Sequence, residues 1–135
     1  MMATVFIVDD DVAILDSLSL LLGLKGYRTQ CFERGDDFLT GYEPAAPGCL
    51  LLDVRMPGLT GLQLQAELER RGITLPVIVI TAHADVSTTR DAFKAGALDL
   101  LEKPVDDTLL IDAIERALSV DSESRKRSGP RDSTR

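Results

Sequence analysis

The sequence predicts an α/β protein, a doubly wound (βα)5 fold with five parallel strands in one sheet and helices on both faces. Three observations carry this. Short apolar runs alternate five times with stretches of helical periodicity. Two of the runs, Thr4–Val8 and Cys49–Leu52, are uninterrupted, as in strands buried on both faces of a parallel sheet. Both run straight into carboxylates, Asp9-Asp10-Asp11 and Asp53, and in open α/β sheets ligands sit outside the carboxyl ends of the strands.

In chain order, the β-branched run Thr4–Val8 is the first strand, and Asp11 is placed to cap the helix after it. That helix carries Ile14, Leu15, Leu18, Leu21 and Leu22 at helical spacing and is closed by Gly23 and Gly26, with Gly26 as the left-handed cap. Arg28–Phe32 is short and partly polar and reads as an edge strand. A short helix over Gly35–Tyr42 and a Pro-rich loop lead to the strand ending at Asp53, which Met56-Pro57-Gly58 then breaks. The third helix is expected over Gly61–Arg71, with Leu62, Ala66 and Leu68 inward and Gly72 after it.

Pro76–Ile80 is a fourth buried strand ending on Thr81, followed by a helix near Ser87–Ala95 closed by Gly96. Ala97–Leu101 is the fifth strand, ending at Glu102-Lys103-Pro104. A last amphipathic helix covers Asp107–Leu118, with Leu110, Ile114, Ala117 and Leu118 inside. The folded domain is thus expected over residues 1–120. Residues 121–135 are charged and nearly free of apolar side chains, and read as a disordered tail or a truncated linker.

The 135 residues carry a net charge of −7. The tail from Ser119 holds five basic residues against three acidic ones, so the folded body is more acidic than the whole. Such a body is a poor non-specific partner for nucleic acid and suits a metal cation or a basic protein surface. No apolar run is long enough to span a bilayer, and Met1-Met2-Ala3-Thr4 lacks a basic, signal-type start, which points to the cytoplasm. Cys31 and Cys49 have no metal or redox spacing and read as reduced, buried small hydrophobes.

In the flavodoxin-like strand order 2-1-3-4-5, the ends of four neighbouring strands gather Asp9, Asp10, Asp53, Thr81 and Lys103. Any one of these alone reads as a cap, a turn residue or a solvated lysine. Together the three carboxylates repel one another unless a cation sits among them. Mg²⁺ suits, because it takes one or two protein carboxylates, water and phosphate oxygens. Lys103 and Thr81 complete a cradle for a phosphoryl group, and Asp53 is the candidate nucleophile for an aspartyl phosphate. A phosphatase of the haloacid dehalogenase type would carry a second Asp two residues further on, where Arg55 stands here. That favours a switch over a turnover enzyme, leaving a small aspartyl-phosphate phosphatase as the alternative. A nucleotide or flavin binder is disfavoured, since Asp9-Asp10-Asp11 stands where a glycine-rich phosphate loop would follow the first strand. His83, the one histidine, has no partner at ligand spacing and reads as solvent-facing.

Val8-Asp9-Asp10, Leu52-Asp53-Val54-Arg55-Met56-Pro57-Gly58, Ile80-Thr81-Ala82 and Glu102-Lys103-Pro104 resemble the receiver domain of two-component response regulators. The resemblance covers Thr4 to about Leu118, and within the family the motifs are similar to the FixJ-like group. It implies that Asp53 accepts a phosphoryl group from a sensor histidine kinase. Asp10 and Asp53 would bind Mg²⁺ directly, Asp9 through water, and Arg55 through its backbone carbonyl. Thr81 would bond a phosphate oxygen, Lys103 would pair with it, and the Lys103–Pro104 bond would be cis. The last two helices and the fifth strand, with Arg90, Phe93, Lys94 and Leu100, would form a face for a homodimer or an output protein. There are two departures. Leu100 stands where an aromatic switch residue is usual, and no helix-turn-helix follows, so a receiver fragment of a DNA-binding regulator is a further alternative.

Overall fold

The computed structural model describes residues 2–56 and 58–133. Pro57, expected to break the strand, and residues 134–135 of the tail lie outside the described residues. Among the described residues five strands and five helices alternate: β1 (Thr4–Val8), α1 (Val12–Leu24), β2 (Arg28–Phe32), α2 (Gly35–Gly41), β3 (Gly48–Asp53), α3 (Gly61–Arg70), β4 (Val77–Thr81), α4 (Val86–Lys94), β5 (Asp99–Glu102) and α5 (Asp107–Ser133). All pairings are parallel and the order is β2-β1-β3-β4-β5, as predicted.

Strand alternation divides the core in two. Phe6, Val8, Leu50, Leu52, Val77 and Val79 face α2, α3 and α4, meeting Phe38, Leu64, Leu68 and Ala92. Val5, Ile7, Cys49, Leu51, Ile78 and Ile80 face α1 and α5, meeting Leu15, Leu18, Leu22, Leu110 and Ile114. Each face also carries one tyrosine. Tyr42 stacks on Phe38 with ring centroids 5.2 Å apart and meets Phe6 edge-on. Tyr27, on the opposite face, donates its hydroxyl to Glu115 of α5. Burial and the Glu115 carboxylate push the Tyr27 phenol up to about 12. Among the described residues no helix is long and apolar enough to cross a membrane.

The local signals mostly act as read. Asp11 caps α1, accepting from Ala13 N at 3.0 Å, and Gly26 is left-handed with φ +92°. Gly23 does not close α1, which runs through it to Leu24. In α3 the structure buries Leu64, Gln65 and Leu68, whereas Ala66 is exposed and Leu62 only half-buried. The phase is set by the cap at Thr60 and by Gly61, from which a four-residue face recurs at i, i+3, i+4 and i+7. Cys31 is exposed, because β2 lies at the edge of the sheet; Cys49, on central β3, is buried.

The largest difference lies at the carboxyl end. Where composition suggests disorder from residue 121, α5 continues to Ser133. Its extra turns are fastened to the start of the central strand β3 and the loop before it. The buried Asp121 carboxylate accepts from Gly48 N at 2.9 Å and from Arg125 Nε at 2.8 Å. Arg125 in turn donates to the carbonyls of Ala45 and Ala46, at 3.0 and 2.7 Å. A charged side chain that satisfies backbone groups of another loop orders its segment without apolar burial.

Candidate functional site

The register of the sheet builds the site. Val8 pairs with Leu52, so Asp9 and Asp53 leave adjacent strands at the same level; Asp53 pairs with Ile80, one residue short of Thr81. Thr81 pairs with Glu102, which places Lys103 at the end of the next strand. Carboxylate oxygens of Asp9, Asp10 and Asp53 lie within 4.8 Å of one another. Asp9 is 3% exposed and Asp53 7%, whereas Asp10 opens to solvent.

Each buried charge has a counterweight. Asp9 Oδ1 accepts from the backbone of Asp11 at 2.9 Å, and its Oδ2 accepts from Lys103 Nζ at 2.9 Å. The same ammonium lies 3.8 Å from Asp53 Oδ1. Burial alone would pull the Lys103 ammonium down, but its bond to Asp9 and the charges of Asp53 and Asp9 hold it above the ordinary lysine value. For Asp53 the balance goes the other way. Burial and the neighbouring Asp9 push its carboxyl from 3.8 up to about 6, against the pull of Lys103 and the backbone N–H of Arg55. One lysine does not neutralise three carboxylates. The donor set is all hard oxygen, open on the Asp10 side, and fits a hard divalent cation.

The other predicted residues surround this centre. Thr81 is 1% exposed, and its hydroxyl oxygen accepts from His83 N at 3.0 Å. The Arg55 and His83 side chains are exposed, and both bear on Asp85, the cap of α4. Asp85 is held below the usual carboxylate range first by its bonds with Thr88, then by the charges of Arg55 and His83. The Lys103–Pro104 peptide is cis, and Leu100 is half-buried against the α2–α4 side of the core.

Two supporting features escape the sequence reading. Thr60 and Gln63 form a reciprocal capping box at the start of α3, a Thr-x-x-Gln signature that is visible in the sequence. Gly61 donates to the Val54 carbonyl at 2.9 Å, and a Cβ there would stand 2.3 Å from the Asp53 carbonyl oxygen. No local sequence signal marks that close approach. Gly61→Ala is therefore expected to cost about 1–3 kcal/mol by forcing α3 away from the β3 end. A lower urea midpoint at unchanged slope would record it.

The response regulator receiver domain pattern matches residues 5–115. The transcriptional regulatory protein TdiR of Thauera aromatica is 41% identical over 121 residues, which cover 90% of this chain and 53% of TdiR. The chain thus spans about half the length of that curated relative. Among solved structures, the response regulator StyR superposes with a TM-score of 0.93 at 39% identity, covering 98% of this chain and 67% of that one. The structure described as FixJ-N superposes with a TM-score of 0.81 at 40% identity, covering 88% and 95%.

Proposed function

The chain belongs to the response regulator receiver domain family, as a FixJ-like member acting in two-component signalling, and on that premise we propose that Asp53 is its phosphoryl acceptor. The observation that carries the proposal is the convergence of Asp53, Asp9, Asp10 and Lys103 at the ends of three strands around one open carboxylate cluster. The donor is a phosphohistidine of a sensor kinase. The P–N bond breaks, a P–O bond forms to an Asp53 carboxylate oxygen, and the imidazole leaves.

Asp10, Asp53 and the Arg55 backbone carbonyl are the direct ligands proposed for Mg²⁺, with Asp9 holding it through water. When bound, it neutralises the cluster and draws charge from the phosphoryl oxygens. Lys103 leaves its place between Asp9 and Asp53 to pair with the phosphoryl group, and Thr81 turns its hydroxyl from His83 N toward a phosphoryl oxygen. Leu100, where an aromatic residue is usual, moves into the space Thr81 gives up. The consequence is a changed α4–β5–α5 face, which meets a second copy or an output protein. The acidic charge supports a chain that does not itself bind nucleic acid, and we place it in the cytoplasm as a switch rather than a turnover enzyme. The phosphatase reading is not favoured: Arg55 holds the position its general acid would need.

Intact mass after incubation with acetyl phosphate tests this. One phosphoryl adduct is expected on the native chain with Mg²⁺, and none without Mg²⁺ or in Asp53→Asn. An adduct that persists in Asp53→Asn would move the acceptor elsewhere.

A further inference from the structure

Of the helices that cover the sheet, α4 buries the fewest residues. Ala92 is its one buried residue, while Val86 and Phe93 are exposed. An alanine offers little apolar area with which to fix a helix of nine residues. One side chain makes up the difference. Gln65 of α3 is 3% exposed, and its Nε2 donates to the Ala92 carbonyl at 3.2 Å. That carbonyl also accepts from Ala97 N at 3.0 Å, the bond that turns the chain out of α4 toward β5. The glutamine therefore grips α4 at its exit.

The grip has a cost. Among the described residues Gln65 Oε1 is buried without a hydrogen-bond partner, and a buried acceptor left unpaired is destabilising. Leucine or methionine would fill the position without that cost, so packing alone does not account for a glutamine. Its place on α3 supplies another reason. Gly61, one helical turn earlier on the same buried face, sits against the backbone of Asp53. The position of α3 is thus set at the acceptor, and Gln65 passes that position to α4. Beside it lies a groove of about 430 Å³ lined by Leu68, Leu75, Lys94, Ala97 and Leu98.

We propose that Gln65 is a positioning residue that tethers the exit of α4 to α3 and so holds the resting form of the α4–β5 face. The regulatory half rests on the reading of Asp53 as acceptor: release of the tether, and pairing of its unsatisfied oxygen, accompanies the switch. The tether itself stands without that reading.

Hydrogen exchange on the full 135-residue chain separates the two. In unphosphorylated Gln65→Met and Gln65→Leu, amides of residues 93–98 are expected to exchange about tenfold faster, with thermal stability equal to or above native. Unchanged exchange there would overturn the tether. So would a loss of protection spread over the whole chain with lowered stability, since Gln65 would then be a packing residue. In the native chain, acetyl phosphate and Mg²⁺ should accelerate the same amides. If a phosphoryl adduct forms and those amides do not respond, the regulatory half fails. If no adduct forms while both variants still loosen residues 93–98, the acceptor reading fails and the tether is upheld.

Discussion

In metal-free buffer at pH 7, Asp53→Asn is expected to be more stable than the native chain by about 2–3 kcal/mol. The native carboxyl is pushed up to about 6 from 3.8, first by burial and then by Asp9. The folded state therefore holds this proton more tightly than the unfolded state does. Between about pH 4 and 6 the folded chain binds more protons, so its stability falls as pH rises through that window. Below the window Asp53 is neutral in both states, and native chain and variant should be equal. Above it the native chain carries the full cost of a charged, buried carboxylate, and the gap is widest. Urea unfolding of both proteins from pH 3 to pH 8 would show the gap opening, and a gap independent of pH would refute the explanation. Millimolar Mg²⁺ should narrow it at pH 7, because a cation that binds only the folded native cluster stabilises it by mass action.

Asp121→Ala should have an effect of similar size and opposite sign. The carboxylate is buried between Gly48 N and Arg125, so its loss strands a backbone donor and a partly buried guanidinium. Breaking one side of such a pair costs about 3 kcal/mol or more. Asp121→Asn keeps an acceptor for Gly48 and should cost less. In Asp121→Ala/Arg125→Ala the losses should fall short of additive, because the two side chains act on one another. Denaturant midpoints for the four proteins give the coupling directly. If Asp121→Ala proves neutral, the bonds of the Asp121 carboxylate contribute nothing to the fold.

These two carboxylates mark what a sequence discloses. Asp53 announces itself, because an apolar strand running into a carboxylate and then into a break is a pattern within ten residues. Repeated at Asp9, and joined by Thr81 and Lys103 at other strand ends, it outlines the candidate site once the strand order is known. Asp121 gives no such sign. Its partners are 73 residues back at Gly48 and one turn ahead at Arg125, and Arg125 reaches the loop before β3. A segment rich in charge reads as solvated when the backbone groups that receive those charges lie elsewhere in the chain. Ala66 and Gln65 teach the same lesson at shorter range. Apolar periodicity favours the alanine, while the Thr60 cap and the approach of Gly61 to Asp53 turn the helix to bury the glutamine. Residue type alone places Cys31 inside, and the open edge of the sheet exposes it.

The placing of the two tyrosines has a spectroscopic consequence. The chain has no tryptophan, so its longest-wavelength ultraviolet absorption, and the emission excited there, come from two phenols, one in each layer of the molecule. Tyr42, stacked on Phe38, reports the α2–α4 layer; Tyr27, bonded to Glu115, reports the α1–α5 layer. A Tyr→Phe change at either position leaves a single chromophore in a known place. Ligand titrations and unfolding can then be followed one layer at a time, with no label added.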